Sequence, residues 1–353
     1  MPYSIITQSG SYVPPVNITN EHFLHHRFFN PDGSPNPKTN AEIVGKFQEI
    51  TCIRERRYVT SDLNLSDIAF FSAEQALEGV DRETLDFIIV GHNFGEVRAE
   101  SPFCEMVPSI ASRVKHKLRI RNPYTVAFDI IFGCPGWLQG VILADQFIKG
   151  GRAKKVLVIG AETLSRVSDP HDIDSMIYAD GAGAVLMEAT EEEAGVLSYA
   201  VRSDTYHEAH LLRMGPSYGP GCYAPRLFLK MDGHEIYKYA VRHVAETVKA
   251  SLDQAGLSLA EVKKVLIHQA NQKMDEAILK RVFKLYGQEK DPEEIMPMTV
   301  AWLGNSSVAT LPTLYDLLQR GKLNNHVLHS GDIAVFASVG AGMNINALVY
   351  KMP

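Results

Sequence analysis

Cysteine is scarce in this 353-residue sequence, with only Cys52, Cys104, Cys134 and Cys222. They are too few and too scattered for a disulfide framework or a zinc site, so reduced thiols and no bound metal are expected. Long apolar runs are also missing. Stretches such as Val156-Leu157-Val158-Ile159 are strand-sized and fall far short of the ~20 residues a membrane-spanning helix needs. The first residues carry no basic stretch followed by an apolar core, so no signal peptide is expected. Positive charge is not in excess: 41 acidic against 35 basic residues leave a net charge of −6, giving no footprint for nucleic acid. Low-complexity sequence is absent. These absences point to a soluble cytoplasmic protein that binds neither membrane nor nucleic acid.

What is present is ordinary globular composition, 45% hydrophobic and 22% charged. Short apolar runs alternate with longer helical periodicities, which predicts an α/β fold. Strands are expected at 86–90, 126–131, 155–159, 184–187, 265–267 and 333–338. Helices are expected around Met274, Ile278, Val282 and Leu285, and around Leu311, Leu314 and Leu318. The segment after Cys134 is apolar nearly all round (Trp137, Leu138, Val141, Ile142, Leu143) and predicts a helix buried on most sides. Proline, glycine and asparagine cluster at 30–40 and 215–225. Both stretches read as loops long enough to cover a site, or else as plain surface connections.

An internal repeat runs through the chain. Ala73-Glu74-Gln75-Ala76-Leu77 leads to Phe87-Ile88-Ile89-Val90-Gly91-His92-Asn93. Roughly half the chain later, Ser251-Leu252-Asp253-Gln254-Ala255 leads to Val265-Leu266-Ile267-His268-Gln269-Ala270-Asn271. A Gly-Ala-Gly sequence stands beside a strand in each copy, at 181–183 and 340–342, and both are expected to be turns. Two similar α/β halves, 1–190 and 191–353, are the predicted organisation.

Three residues stand where chemistry is done. Cys134 lies between an apolar strand and a buried helix, in Phe132-Gly133-Cys134-Pro135-Gly136-Trp137. A helix N-terminus there favours the thiolate, although a buried structural cysteine fits the position equally well. His268 ends an apolar strand, the edge at which open α/β sheets place ligands; a satisfied structural histidine is the alternative. Asn305, in Gly304-Asn305-Ser306-Ser307, precedes a helix and reads as a cap, a turn residue or a hydrogen-bond donor.

Together these segments are more specific. The sequence resembles the β-ketoacyl-acyl-carrier-protein synthase III family of thiolase-fold condensing enzymes. The resemblance rests on Phe128-Asp129 leading to Cys134, Ala144-Asp145-Gln146-Phe147, Val156 to Glu162, Ala179-Asp180-Gly181-Ala182-Gly183-Ala184, His268-Gln269-Ala270-Asn271, Gly304-Asn305-Ser306-Ser307 and Gly340-Ala341-Gly342. They run in family order over nearly the whole chain. The resemblance implies a duplicated five-layer αβαβα fold, a homodimer, and no metal or redox cofactor. It implies Cys134 as the acyl-carrying nucleophile, and a malonyl thioester that loses carbon dioxide before its carbanion attacks the acyl-enzyme. His268 and Asn305 would hydrogen-bond to the thioester oxygen, and the backbone of Cys134, Gly340 and Gly342 would hold the oxyanion. Acyl and malonyl thioesters and an acyl carrier protein are the implied partners, with Lys273 at the mouth that docks the carrier.

Departures from the family point to a particular specialisation. Where the family clamps coenzyme A with a Trp and two Arg, this chain has Lys46, Ile50 and Ile173. Cys-Pro-Gly-Trp replaces Cys-Ala-Gly-Phe, and the 30–40 loop is longer. A primer other than acetyl-coenzyme A is therefore expected, drawn from a carrier protein or being a β-ketoacyl thioester as in ring-forming dialkylresorcinol synthases. Ser338 stands where degradative thiolases have a second catalytic cysteine, which argues against thiolysis. The rival classes are a catalytically silent subunit of a condensing heterodimer and a Cys-His-Asn hydrolase.

Overall fold

The computed structural model describes residues 2–99, 101, 103–221, 226–323 and 325–353. Cys222 and the end of the predicted 215–225 loop lie outside the described residues. Two sheets organise the fold. The first has five strands in the order Tyr3–Tyr12, Asp180–Thr190, Lys155–Thr163, Phe87–Gly91, Val126–Ile130. The second has four, in the order Gly195–Ser203, Asn344–Lys351, Ile333–Gly340, Val262–Ile267. The Val/Ile-rich runs form the parallel centres: Phe87–Gly91 pairs in parallel with both Val126–Ile130 and Lys155–Thr163, and Val262–Ile267 with Ile333–Gly340. Residues such as Ile88, Val158, Leu266 and Val335 are fully buried, as sheets covered on both faces require.

The cores show what covers them. Helices Gly136–Lys149 and Thr310–Gln319 lie between the sheets, and their Trp137, Val141, Leu311 and Leu314 join Ile89 and Val158 of one sheet to Phe336 and Leu348 of the other. Outside the first sheet, helices Leu65–Ala76 and Ile110–Lys117 pack on Ile88, Val90 and Leu157. Outside the second, helices Gly233–Ala255 and Gln272–Leu285 pack on Val265, Val335 and Val349. The result is five layers, αβαβα, the thiolase-like arrangement.

The predicted strands are all present, most of them longer than read. One expectation is corrected. Gly181-Ala182-Gly183 is not a turn but the interior of strand Asp180–Thr190. A Cβ on Gly183 would run into the backbone of Pro312 and Thr313, so the glycine is there to let the central helix touch the sheet. Its sequence partner at 340–342 does turn the chain: Gly340 ends a strand and Gly342 has φ +75°.

Candidate active site

The nucleophile candidate stands at a tight crossing of backbones. Strand Val126–Ile130 ends, Gly133 turns the chain at φ +67°, and helix Gly136–Lys149 begins after Pro135. Cys134 is thus held just ahead of the helix, its backbone against Gly340, where any side chain would collide with the Cys134 amide. The 340–342 turn is thereby locked beside the thiol.

His268 and Asn305 arrive from the other half, and the residues around them explain why. His268 continues strand Val262–Ile267, and its N–H donates to the Ala337 carbonyl at 2.8 Å. Next to it, buried Gln269 clamps the 297–300 segment. Its Nε2 donates to the Pro297 carbonyl at 2.8 Å, and its Oε1 accepts from the Thr299 and Val300 N–H groups at 2.7 and 3.0 Å. Asn271 caps helix Gln272–Leu285, accepting from the Met274 N–H at 3.2 Å. The His-Gln-Ala-Asn run therefore gives the cavity His268 and Ala270, while Gln269 and Asn271 brace the frame around it. Asn305 bonds through its backbone to Ile177 and Ala179. Its Oδ1 accepts the Ser307 N–H at 2.8 Å, leaving the amide Nδ2 as the end free to donate.

Cys134, His268, Asn305, Ser307 and the Gly340–Gly342 turn line one cavity of about 420 Å³. The rest of its wall is mainly apolar, including Phe94, Leu164, Met214 and Met231. Burial sets the protonation states there. It pushes the Cys134 thiol up to about 11, against which the Ser307 hydrogen bond pulls down. It depresses the His268 imidazole to about 4. Burial thus works against the thiolate that the helix N-terminus favours, and it holds the imidazole in its neutral form. His268 Nδ1 is buried without a partner among the described residues, so Nε2 is the ring atom left to meet a ligand.

A second cavity of about 680 Å³ shares Met231, Ile236, Ala270, Met274 and Asn305 with the first and forms its outer approach. Lys46, Ile50 and Ile173 all line it, with the 30–40 loop contributing Asn30, Asn36 and Lys38. Residues far apart in sequence meet because Arg56, fully buried, donates to the Met176 and Ile18 carbonyls and binds the 173–177 segment to the frame of helix Asn40–Thr51. Lys46 spends its charge on Glu49 at 3.0 Å. Lys273 sits beside this mouth between Asn271 and Met274, close enough to reinforce the lowering of the Glu49 carboxyl that the Lys46 bond causes.

Several site residues carried no assigned role in the sequence reading. Ser307 Oγ donates to Cys134 Sγ at 3.3 Å and accepts from Asn93 Nδ2 at 3.2 Å, and the Asn93 N–H donates to Glu162 at 2.5 Å. Glu162 is driven up to about 8 by burial and rests as the neutral acid at pH 7. Ser307 and Glu162 lie inside motifs that were noticed, but the Ser307 contacts join residues 173 and 214 positions apart. His92, the repeat counterpart of His268, is structural: its Nε2 pairs with Asp129 at 2.9 Å, and Asp129 also accepts from the first N–H groups of helix Ile110–Lys117. Among the described residues no group of His, Cys, Asp and Glu is arranged to hold a metal ion, and no helix is long and apolar enough to cross a membrane.

Comparison with known proteins gives a consistent picture. Residues 128–205 match the family described as 3-oxoacyl-[acyl-carrier-protein (ACP)] synthase III, and residues 252–352 match its C-terminal counterpart. Beta-ketoacyl-[acyl-carrier-protein] synthase III 1 of Halalkalibacterium halodurans is 33% identical over 305 residues, covering 85% of this chain and 87% of its own. The corresponding protein of Geobacillus kaustophilus is 32% identical over 305 residues, with the same coverage of 85% and 87%. Among solved structures, 3-oxoacyl-[acyl-carrier-protein] synthase III from Aquifex aeolicus superimposes with a TM-score of 0.80 at 27% identity, covering 99% of each chain.

Proposed function

This chain belongs to the 3-oxoacyl-[acyl-carrier-protein] synthase III family of condensing acyltransferases, and on that premise we propose that it joins a primer other than acetyl-coenzyme A to a malonyl thioester through Cys134. The observation that carries the proposal is the pair of joined cavities: an inner one holding Cys134, His268 and Asn305, and an outer one whose wall has Ile50 and Ile173 where the family grips coenzyme A.

The chemistry follows from the protonation states. Cys134 attacks the donor thioester; its sulfur–carbon bond forms, the donor carbon–sulfur bond breaks, and the thiol proton ends on the departing sulfur. The Cys134 and Gly340–Gly342 backbone holds the oxyanion. The malonyl thioester then loses carbon dioxide. Neutral His268, donating from Nε2–H, and the Asn305 amide bear the enolate charge on the thioester oxygen, in a cavity dry enough for such donors to be strong. The carbanion attacks the acyl-enzyme, and Cys134 leaves as thiolate. No resident cofactor enters this sequence.

The outer cavity supports a carrier-protein donor. Ile50 and Ile173 are 43% and 41% exposed on its wall and offer neither the fixed donors nor the stacking plane that arginine gives an adenine nucleotide. Lys273 at the rim suits an acidic carrier protein. A β-ketoacyl primer, as in ring-forming condensing enzymes, is the second reading. The inner cavity's volume and apolar wall favour a longer acyl group over acetyl in either case.

Residues 1–190 and 191–353 are taken as the duplicated halves. Strand Val126–Ile130 is the edge of its sheet, pairing on one side only, and Val126, Ile131 and Tyr124 beside it are exposed. A bare apolar edge needs covering, and a second copy pairing there would make the homodimer. A cytoplasmic location accords with reduced cysteines. A silent subunit is disfavoured because Cys134, His268 and Asn305 are all retained around one cavity.

The deciding experiment offers the protein acetyl-coenzyme A and carrier proteins loaded with acetyl, medium-chain or β-ketoacyl groups, and reads adducts by intact-protein mass spectrometry with Cys134→Ala as control. Labelling confined to carrier-bound donors supports the proposal. Efficient labelling from acetyl-coenzyme A overturns the primer reading, and no Cys134-dependent adduct from any donor returns the silent-subunit reading.

A further inference from the structure

We propose that Ser307 is a further catalytic residue, whose hydroxyl stabilises the Cys134 sulfur as thiolate both when it attacks the donor and when it leaves the condensed product. The inference rests on Cys134 being the nucleophile, but the observations that carry it are independent of the primer.

Three features of Ser307 converge. Its hydroxyl donates to Cys134 Sγ at 3.3 Å, and among the described residues it is the side chain that hydrogen-bonds to that sulfur. The hydroxyl's direction is set from behind: Asn93 Nδ2 donates to Ser307 Oγ at 3.2 Å, so the serine proton is left to point at sulfur. Asn93 is anchored in turn by Glu162, which accepts its backbone N–H. Finally, Ser307 has φ +53°, a left-handed backbone that residues other than glycine adopt at a cost. Ser307 opens the 3-10 turn Ser307–Ala309 that runs into helix Thr310–Gln319, and such a turn calls for a negative φ, so helical geometry does not demand the left-handed conformation. What it achieves is to aim the backbone N–H at Asn305 Oδ1 and the side chain at Cys134 at once.

A compensating positive charge is what this sulfur lacks. Burial makes the thiolate costly, and the groups nearest it cannot supply a positive charge. Glu162, from strand Lys155–Thr163, is a carboxyl that would repel a thiolate if ionised. Tyr178, ahead of strand Asp180–Thr190, is a buried phenol whose own ionisation the sulfur opposes. His268, at the end of strand Val262–Ile267, is neutral. A hydroxyl that keeps its proton and donates to S⁻ meets the need without transferring anything. In the acyl-enzyme the thioester sulfur is a poor acceptor, so the bond weakens in the intermediate and returns as the carbon–sulfur bond breaks. That is the differential binding that speeds a step.

The test follows alkylation of Cys134 by iodoacetamide from pH 6 to 10, read at that residue by peptide mass spectrometry, in the wild type, Ser307→Ala and Ser307→Gly. Glycine accepts the left-handed backbone, so it removes the hydroxyl without strain and remains informative if the alanine variant folds poorly. Both variants should slow alkylation approximately tenfold at every pH in that range, all of which lies below the Cys134 midpoint. Acylation from a carrier-bound donor should fall by a similar factor, whereas decarboxylation of a malonyl thioester, which relies on His268 and Asn305, is retained. Asn93→Ala should slow alkylation in the same way by less. An unchanged alkylation rate overturns the proposal, and so does a parallel loss of acylation and decarboxylation, which would mean a merely structural role. If the wild type forms no acyl adduct with any donor, the functional reading fails, and the catalytic role of Ser307 falls with it.

Discussion

Removing one buried ammonium should destabilise the protein and reverse the pH dependence of that stability. Lys230 is almost wholly enclosed, and its Nζ donates to Asp169 Oδ2 at 2.6 Å and Asp172 Oδ2 at 2.9 Å while lying 3.2 Å from the centre of the Tyr218 ring. It joins the strand Phe228–Met231 to the 169–177 segment, whose Ile173 and Ile177 wall the outer cavity, so it braces both approaches to the site. Burial alone would push the Asp169 carboxyl up. The Lys230 ammonium, the Tyr218 and His171 N–H groups and the Ser217 hydroxyl outweigh it and hold that carboxyl below its ordinary range. In the wild type this contribution is complete above the unfolded carboxylate pKa and fades as pH falls through the lower folded value. Lys230→Met leaves two buried carboxylates without their cation, a loss of about 3–5 kcal/mol at pH 7. Burial then acts unopposed by the ammonium, the folded pKa rises, and protonation relieves the strain, so the deficit should shrink as pH falls toward 5. Urea unfolding at pH 7 and pH 5, followed by fluorescence and circular dichroism, measures this. Adding Asp169→Asn and Asp172→Asn to Lys230→Met should recover much of the loss, because the unpaired charges go with it. A Lys230→Met variant within 1 kcal/mol of the wild type, or one whose deficit grows at lower pH, would refute the reasoning.

His268→Ala and Asn305→Ala should each slow malonyl-thioester decarboxylation by about 10²–10³-fold, the usual cost of losing one oxyanion donor; carbon dioxide release measures it. Because burial holds His268 down to about 4, that rate should show no step from this ring between pH 7 and 5; a step with a midpoint near 6.5 would show an imidazole open to water. Ile50→Arg combined with Ile173→Arg should lower the KM for coenzyme A thioesters by about tenfold or more, since two charge-assisted bonds to phosphate or adenine are gained; an unchanged KM would show that the outer cavity does not set the donor. Val126→Glu places charge on the bare edge of the first sheet and should shift light scattering from dimer to monomer with loss of activity.

Much of the site was legible because each of its three main residues is marked by a change of pattern. Cys134 interrupts a strand-to-helix passage, His268 is the polar end of an apolar strand, and Asn305 follows a glycine before a helix. Local pattern says where chain direction changes, and in α/β folds that is also where sheets present their ends. The strands of the two main sheets missed in the sequence, Tyr3–Tyr12, Gly195–Ser203 and Asn344–Lys351, are antiparallel additions at or near sheet edges, where serine, asparagine and glutamine interrupt the apolar run. Gly181-Ala182-Gly183 was misjudged for the opposite reason. A turn and a close helix–sheet contact both call for glycine, and only the position of Pro312 tells them apart. Ser307 could not be assigned either, because its role depends on a left-handed backbone and on Asn93 and Cys134 from the other half.

The resting state also separates this site from the hydrolase it superficially resembles. A Cys-His-Asn hydrolase depends on an imidazole basic enough to take the thiol proton, so that thiolate and imidazolium stabilise each other. Here the same burial acts on both residues in opposite directions, raising the thiol to about 11 and lowering the imidazole to about 4. Ionising the pair by proton transfer runs against both shifts. Nor does the asparagine orient the histidine: the Asn305 oxygen is engaged by Ser307. The two side chains are left as neutral donors facing a mainly apolar cavity, which suits an enolate oxygen and serves a hydrolytic water poorly. A site that needs a carbanion to survive until it meets an acyl carbon gains from keeping bases and water away from it, and the burial that makes Cys134 a reluctant thiolate is what provides that exclusion.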